Sequence, residues 1–281
     1  MPAPPLAELI FALALERGHP GQSPYSFETV PECGTDARSP SCEIRPLCND
    51  SSPLCRPPRY SVPRGAWVRT ETHETATRRF AKVARSLSDT AQRLVGCDRS
   101  AREGHCTPPG WPGDTRSLAL AALTVVFYES GLREDVMFGH PPLGRGPAGE
   151  ACLMQVAIGD ALSEAQWLSP EQRASIAAKP VAREAFARSL LGDSTASLSR
   201  CFEVGMRLLA RSRRSCGGSG KPWDIGMFAM YGTGRTCTAP AVAERRAKTY
   251  RELAASDLKL PPELRRWLDP SEPVPGPKPL G

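Results

Sequence analysis

A long apolar stretch, interrupted by Thr124, runs from 118 to 127. Leu118, Leu120, Leu123, Val125, Val126 and Phe127 are interleaved with Ala119, Ala121 and Ala122. Apolar residues fall on every side of a 3.6-residue period, which predicts a helix buried all round at the centre of a helical protein. Asp114 stands where an N-cap acceptor belongs, and Gly131 where a left-handed residue closes a helix. Upstream, Phe80, Val83, Leu87, Ala91 and Leu94 repeat at helical spacing from about residue 71. Arg78, Arg79, Lys82, Arg85 and Arg93 fill the remaining surface, and Gly96 marks the stop. Downstream, residues 139–149 are rich in Gly and Pro and predict a loop. A helix is expected from about Leu153, and another from Ser169-Pro170-Glu171-Gln172, a cap Ser with a capping-box Gln. A long one is expected over about 195–213, with Leu198, Cys201, Phe202, Leu208 and Leu209 inward. Gly217, Gly218 and Gly220 break it. A short helix over Trp223–Tyr231 and a charged, more exposed one over about 240–256 follow. Strand signals are sparse and no internal repeat occurs.

The ends differ in character. Residues 1–63 hold twelve prolines and four cysteines, Cys33, Cys42, Cys48 and Cys55, and read as an irregular, disulfide-stapled segment. The apolar run Leu6 to Leu15 contains Glu8, and no Lys or Arg precedes it. It reads as a short docking helix rather than a secretory signal; a start that lacks its leader is the alternative. Five prolines in the last twelve residues mark 257–281 as a tail. No stretch is long and apolar enough to span a bilayer. The expected class is therefore mainly α, with a helical domain over 64–256.

The chain has 281 residues and ten cysteines, none in a CxxC pair. That spacing disfavours zinc and favours disulfides, hence a periplasmic or extracellular setting. Cys97 and Cys106 suggest a local bridge. His19, His73, His105 and His140 show no metal-ligand spacing, so no metal or other cofactor is expected. The net charge of +6 favours anionic partners. Arg207, Arg211, Arg213 and Arg214 cluster near one helix end, and Arg245, Arg246, Lys248 and Arg251 on another helix. Without aromatic interleaving these read as a solvated face or a footprint for anionic wall polymer, not a nucleic-acid site.

Glu129 carries the candidate chemistry. It falls at the C-terminal end of the apolar helix, where the last carbonyls disfavour a carboxylate. Val125, Val126, Phe127 and Tyr128 precede it, so desolvation also favours the neutral acid. A carboxyl kept protonated near neutral pH is what a glycosidase needs to protonate a leaving oxygen.

Four blocks in order over about 115–236 give that acid a context. Glu129-Ser130-Gly131-Leu132 resembles the "ES" signature of the soluble lytic transglycosylases and their goose-type lysozyme relatives. Leu153-Met154-Gln155-Val156 is similar to their "GLMQ" segment. Asp193 to Leu209, with Gly205 in a small-residue slot, resembles their next helix. Ala229-Met230-Tyr231-Gly232-Thr233-Gly234 looks like "AAYNAG". The resemblance implies a lysozyme-like helical fold and cleavage of the bond between N-acetylmuramic acid and N-acetylglucosamine in peptidoglycan glycan strands. It implies that Glu129 is general acid and then base, that Ser130 supports the site by hydrogen bonding, that Gln155 binds sugar, and that Tyr231 orients or polarises Glu129. Met154 reads as core packing. Two positions depart from the pattern: Cys152 replaces the Gly before Leu-Met-Gln, and Gly232 replaces the Asn after the Tyr. A Cys tolerates positive φ less than Gly, so the loop is expected to be reshaped or tied by a disulfide to Cys201, Cys216 or Cys237.

In that family one Glu serves both steps and a 1,6-anhydro-muramyl product forms without water or metal. A hydrolytic outcome would need a second carboxylate, for which Glu134, Asp135 and Glu150 are the candidates. The other alternative is a non-catalytic peptidoglycan-binding protein that keeps the fold.

Overall fold

The computed structural model describes residues 5–17, 73–95, 111–139, 149–218, 220, 222–238 and 240–269. Cys33, Cys42, Cys48, Cys55, Cys97, Cys106, Gly96, His140 and residues 270–281 lie outside them. So do the side chains of Glu134 and Asp135.

The described chain is mainly helical. It comprises α1 (Leu6–Arg17), α2 (His73–Val95), α3 (Thr115–Glu129), α4 (Glu134–Phe138), α5 (Ile158–Glu164), α6 (Pro170–Ala178), α7 (Pro180–Ser189), α8 (Thr195–Cys216), α9 (Trp223–Thr233) and α10 (Ala241–Ala254), then a 3-10 helix, Pro262–Leu268. The only β pairing among the described residues is an isolated bridge between Ala151 and Val156.

Two helices hold the centre. α3 is buried continuously from Leu118 to Val126, as its apolar surface requires. It packs against α1, α2, α8 and α10. Asp114 accepts a hydrogen bond from the Ser117 N–H at 2.7 Å and so satisfies a helix-start donor. α8 packs against α2, α3, α5 and α9. The inward stripe of α2, from Phe80 through Leu94, is fully buried between these neighbours. α1 docks on α2 and α3, with Leu9, Ile10, Phe11 and Leu13 inside the same core. The 3-10 helix returns to α1 and α2, where Arg265 pairs with Glu8 at 3.2 Å. No helix among the described residues is long and apolar enough to cross a membrane.

Several expectations are corrected. The helix expected from Leu153 starts at Ile158, because residues 152–155 form a tight turn closed by the Ala151–Val156 bridge. α4 and α7 were not anticipated. α7 begins at Pro180, whose missing N–H costs nothing at a first helical position. α10 is less exposed than its charge suggests, since Ala243, Arg246, Ala247, Tyr250 and Leu253 are buried. Arg79, read as surface, is also buried, its guanidinium 4.9 Å from the Phe80 ring.

Candidate active site

Glu129 is the last residue of α3, and the chain turns sharply beyond it. Gly131 takes φ +58° and Leu132 φ +61°. Ser130 Oγ donates to the Val126 carbonyl at 2.9 Å and accepts from the Leu132 N–H at 3.3 Å. Ser130 therefore closes the helix end that presents Glu129.

A second turn faces this one. The Ala151 and Val156 backbones exchange hydrogen bonds at 3.0 Å, and the Gln155 N–H donates to the Cys152 carbonyl at 2.9 Å. Cys152 keeps the left-handed conformation that a glycine would adopt, φ +62°, and Gln155 takes φ +44°. The turn is tied to α8 by a Cys152–Cys201 disulfide. Leu132, Cys152 and Gln155 are the non-glycine residues with positive φ among the described residues, and all three lie in the turns around Glu129. Backbone strain of this kind concentrates at functional sites.

Met154 is fully buried and packs against Gly205 of α8, where a Cβ would fall 2.2 Å from its sulfur. That contact explains the small-residue slot. The Gln155 side chain donates from Nε2 to the Cys152 carbonyl at 3.0 Å, which fixes the amide against its own turn. Tyr231, on α9, donates its hydroxyl proton to the Met154 carbonyl at 2.9 Å. The phenol therefore braces the 152–155 turn rather than bonding to Glu129. Its pKa lies well above the usual phenol range, first through burial and then through the Glu129 charge, so it stays a proton donor. Tyr231→Phe leaves a carbonyl without its partner and should lower stability by about 1 kcal/mol, measurable by urea denaturation.

These elements enclose a cleft of about 550 Å³. Glu129, Glu150, Gln155 and Tyr231 line it together with Asp160 of α5 and Arg211 of α8. Ser130 does not line it. A second disulfide, Cys216–Cys237, joins the end of α8 to the segment after α9, so both sides of the cleft are stapled. Arg211 bonds Asp160 at 2.6 Å and Glu164 at 3.2 Å, which ties α8 to α5 along the cleft.

The Glu129 carboxyl has a raised pKa. Burial is the main cause; Arg246 pulls it down and the Glu150 charge pushes it up. The sequence pattern puts Arg246 on a solvated basic face or a footprint for anionic wall polymer. It is instead buried, and its Nη2 donates to Glu129 Oε1 at 2.6 Å. Other members of that face also point inward or to partners: Arg207 is buried against Glu203, and Arg251 bonds Asp224 at 2.7 and 3.0 Å. Arg246 does carry a sequence signal. It sits at helical spacing within the apolar stripe Ala243, Ala247, Tyr250 and Leu253, where a solvated charge has no place. Tyr128 does not add to the apolar shelter expected for Glu129, being 37% exposed with its hydroxyl 3.1 Å from Thr249.

No group of three or more metal-ligating side chains occurs among the described residues. No protein-family model matches the chain, and no curated protein or solved structure matches it either.

Proposed function

We propose that this protein is a lysozyme-like lytic transglycosylase that cleaves the β-1,4 bond between N-acetylmuramic acid and N-acetylglucosamine in peptidoglycan. The observation that carries the reading is a single carboxyl with a raised pKa, Glu129, in one cleft with Gln155 and Tyr231. Glu129 protonates the bridging oxygen as the C1–O bond breaks. The sugar's own acetamido group stabilises the positive charge that develops. Glu129 then takes the proton of the muramyl 6-hydroxyl as that oxygen bonds to C1, closing the anhydro ring. The acid is regenerated and no water is consumed. The two disulfides among the described residues suit a periplasmic or extracellular setting.

One observation favours a second reading, hydrolysis. Glu150 lines the same cleft and its charge is felt by Glu129, so it stands where a carboxylate could orient water. Digesting purified sacculi and weighing the products separates the two. Anhydro-muropeptides are expected. Free reducing ends would replace the lytic reading by the hydrolytic one, and an intact sacculus would leave only binding.

A further inference from the structure

We infer that Arg246 is the positioning residue of the proposed acid, gripping Glu129 by Oε1 so that Oε2 is the oxygen left to carry the reacting proton. The inference rests on the proposed role of Glu129.

The grip is built from three elements. Arg246, on α10, donates from Nη2 to Glu129 Oε1 at 2.6 Å, and its side chain is only 8% exposed against 23% for Glu129. Its Cζ lies 5.5 Å from the centre of the Tyr128 ring on α3. On the other side α9 makes room for it: a Cβ on Gly232 would come 3.1 Å from Nη1. The residue that departs from the "AAYNAG" pattern is thus the one whose missing side chain admits the guanidinium.

Stability alone does not account for this arrangement. Nε and Nη1 of Arg246 are buried with no hydrogen-bond partner among the described residues. A buried cation so incompletely paired is costly, and an apolar side chain in the same stripe would avoid the cost. What Arg246 gains is a fixed contact with one oxygen of one carboxyl.

The chemistry follows from donor counting. A guanidinium has no acceptor, so the oxygen facing it accepts and the proton of the neutral carboxyl resides on the other. When that proton passes to the bridging oxygen, the carboxylate that forms meets a cation already in place, with no reorganisation. The same cation opposes protonation of Glu129, which burial and the Glu150 charge favour. The charged and titratable groups around the pair are Tyr128 from α3, Glu150 ahead of the 152–155 turn and Tyr231 from α9, with the Asp160–Arg211 pair of α5 and α8 further along the cleft.

The test uses the full chain with Arg246→Met, Arg246→Lys and Gly232→Ala. The Glu129 carboxyl is followed by carbon-13 NMR, its signal assigned by loss in Glu129→Gln, and sacculus cleavage is measured across pH. In Arg246→Met the carboxyl midpoint should rise, the alkaline limb of kcat/KM should move up with it, and kcat should fall about 10- to 100-fold with KM little changed. Arg246→Lys should restore the midpoint but only part of kcat, because an ammonium lacks the fork geometry. Gly232→Ala should lower kcat by crowding Nη1 with the charge retained. A folded Arg246→Met protein with an unmoved midpoint and limb overturns the inference. If that variant does not fold, unchanged kcat in Gly232→Ala overturns it. Should the wild type cleave no glycan, the role of Glu129 falls, and the carboxyl titration still decides whether Arg246 holds it.

Discussion

Glu129→Gln is expected to lower kcat for sacculus cleavage by about 10²- to 10⁴-fold while the helical fold stays intact. The substitution keeps an amide oxygen to accept from Arg246 and removes the proton that the proposed reaction uses. Binding of intact glycan should persist, because Gln155, Tyr231 and the rest of the cleft are untouched. The pH dependence of stability gives an independent check. A carboxyl whose pKa is raised on folding binds its proton more tightly in the folded chain. Its contribution to stability is fully present below the ordinary carboxylate range and is lost as pH rises through the raised value. Gln has no such loss. Wild-type protein should therefore lose stability relative to Glu129→Gln across that window, seen as diverging denaturation midpoints. Equal cleavage by the two proteins would remove Glu129 from the reaction. Parallel stability curves would show that burial does not hold its proton.

How far the site could be read from sequence depends on how local each determinant is. α3 was legible because its apolar residues, its Asp114 cap and Gly131 are all set within one helix length. The capping box at Ser169 and Gln172 was legible for the same reason. Glu129 could be placed because a helix end is a local feature. Arg246 was not placed, because its partner is 117 residues away and a charged residue on a charged helix looks solvated. The apolar stripe on either side of it was the available clue. The position of Gln155 was half legible. Its place in the cleft agrees with the motif, whereas its bond to the Cys152 carbonyl depends on a turn that was expected to be helix. α7 was missed because Pro180 reads as a break when it is in fact a start. The Cys152–Cys201 bridge was among three open pairings, and only the packing of the turn on α8 selects it.

Gly205→Leu is expected to destabilise the protein by about 2–3 kcal/mol or more, and the reason lies in the turn rather than in the helix. In isolation the change favours α8, since Gly costs about 1 kcal/mol relative to a good helix former. Here even the first carbon of a side chain would sit 2.2 Å from the sulfur and 3.2 Å from the Cβ of Met154. Met154 has little space to swing into, being fully buried in a turn tied to α8 through Cys152–Cys201. The strain should pass to the turn and then to the Tyr231 bond on the Met154 carbonyl. Urea midpoints should fall with the slope unchanged. Met154→Ala alone should also destabilise, by about 2–5 kcal/mol, because it leaves a cavity. In the Gly205→Leu background it should cost far less, since the leucine enters the vacated space. Strictly additive losses would mean that the two residues do not share a site. If the pair does couple, the double variant should regain stability before it regains activity. The turn would then be packed again, but not in the geometry that sets Gln155 beside Glu129.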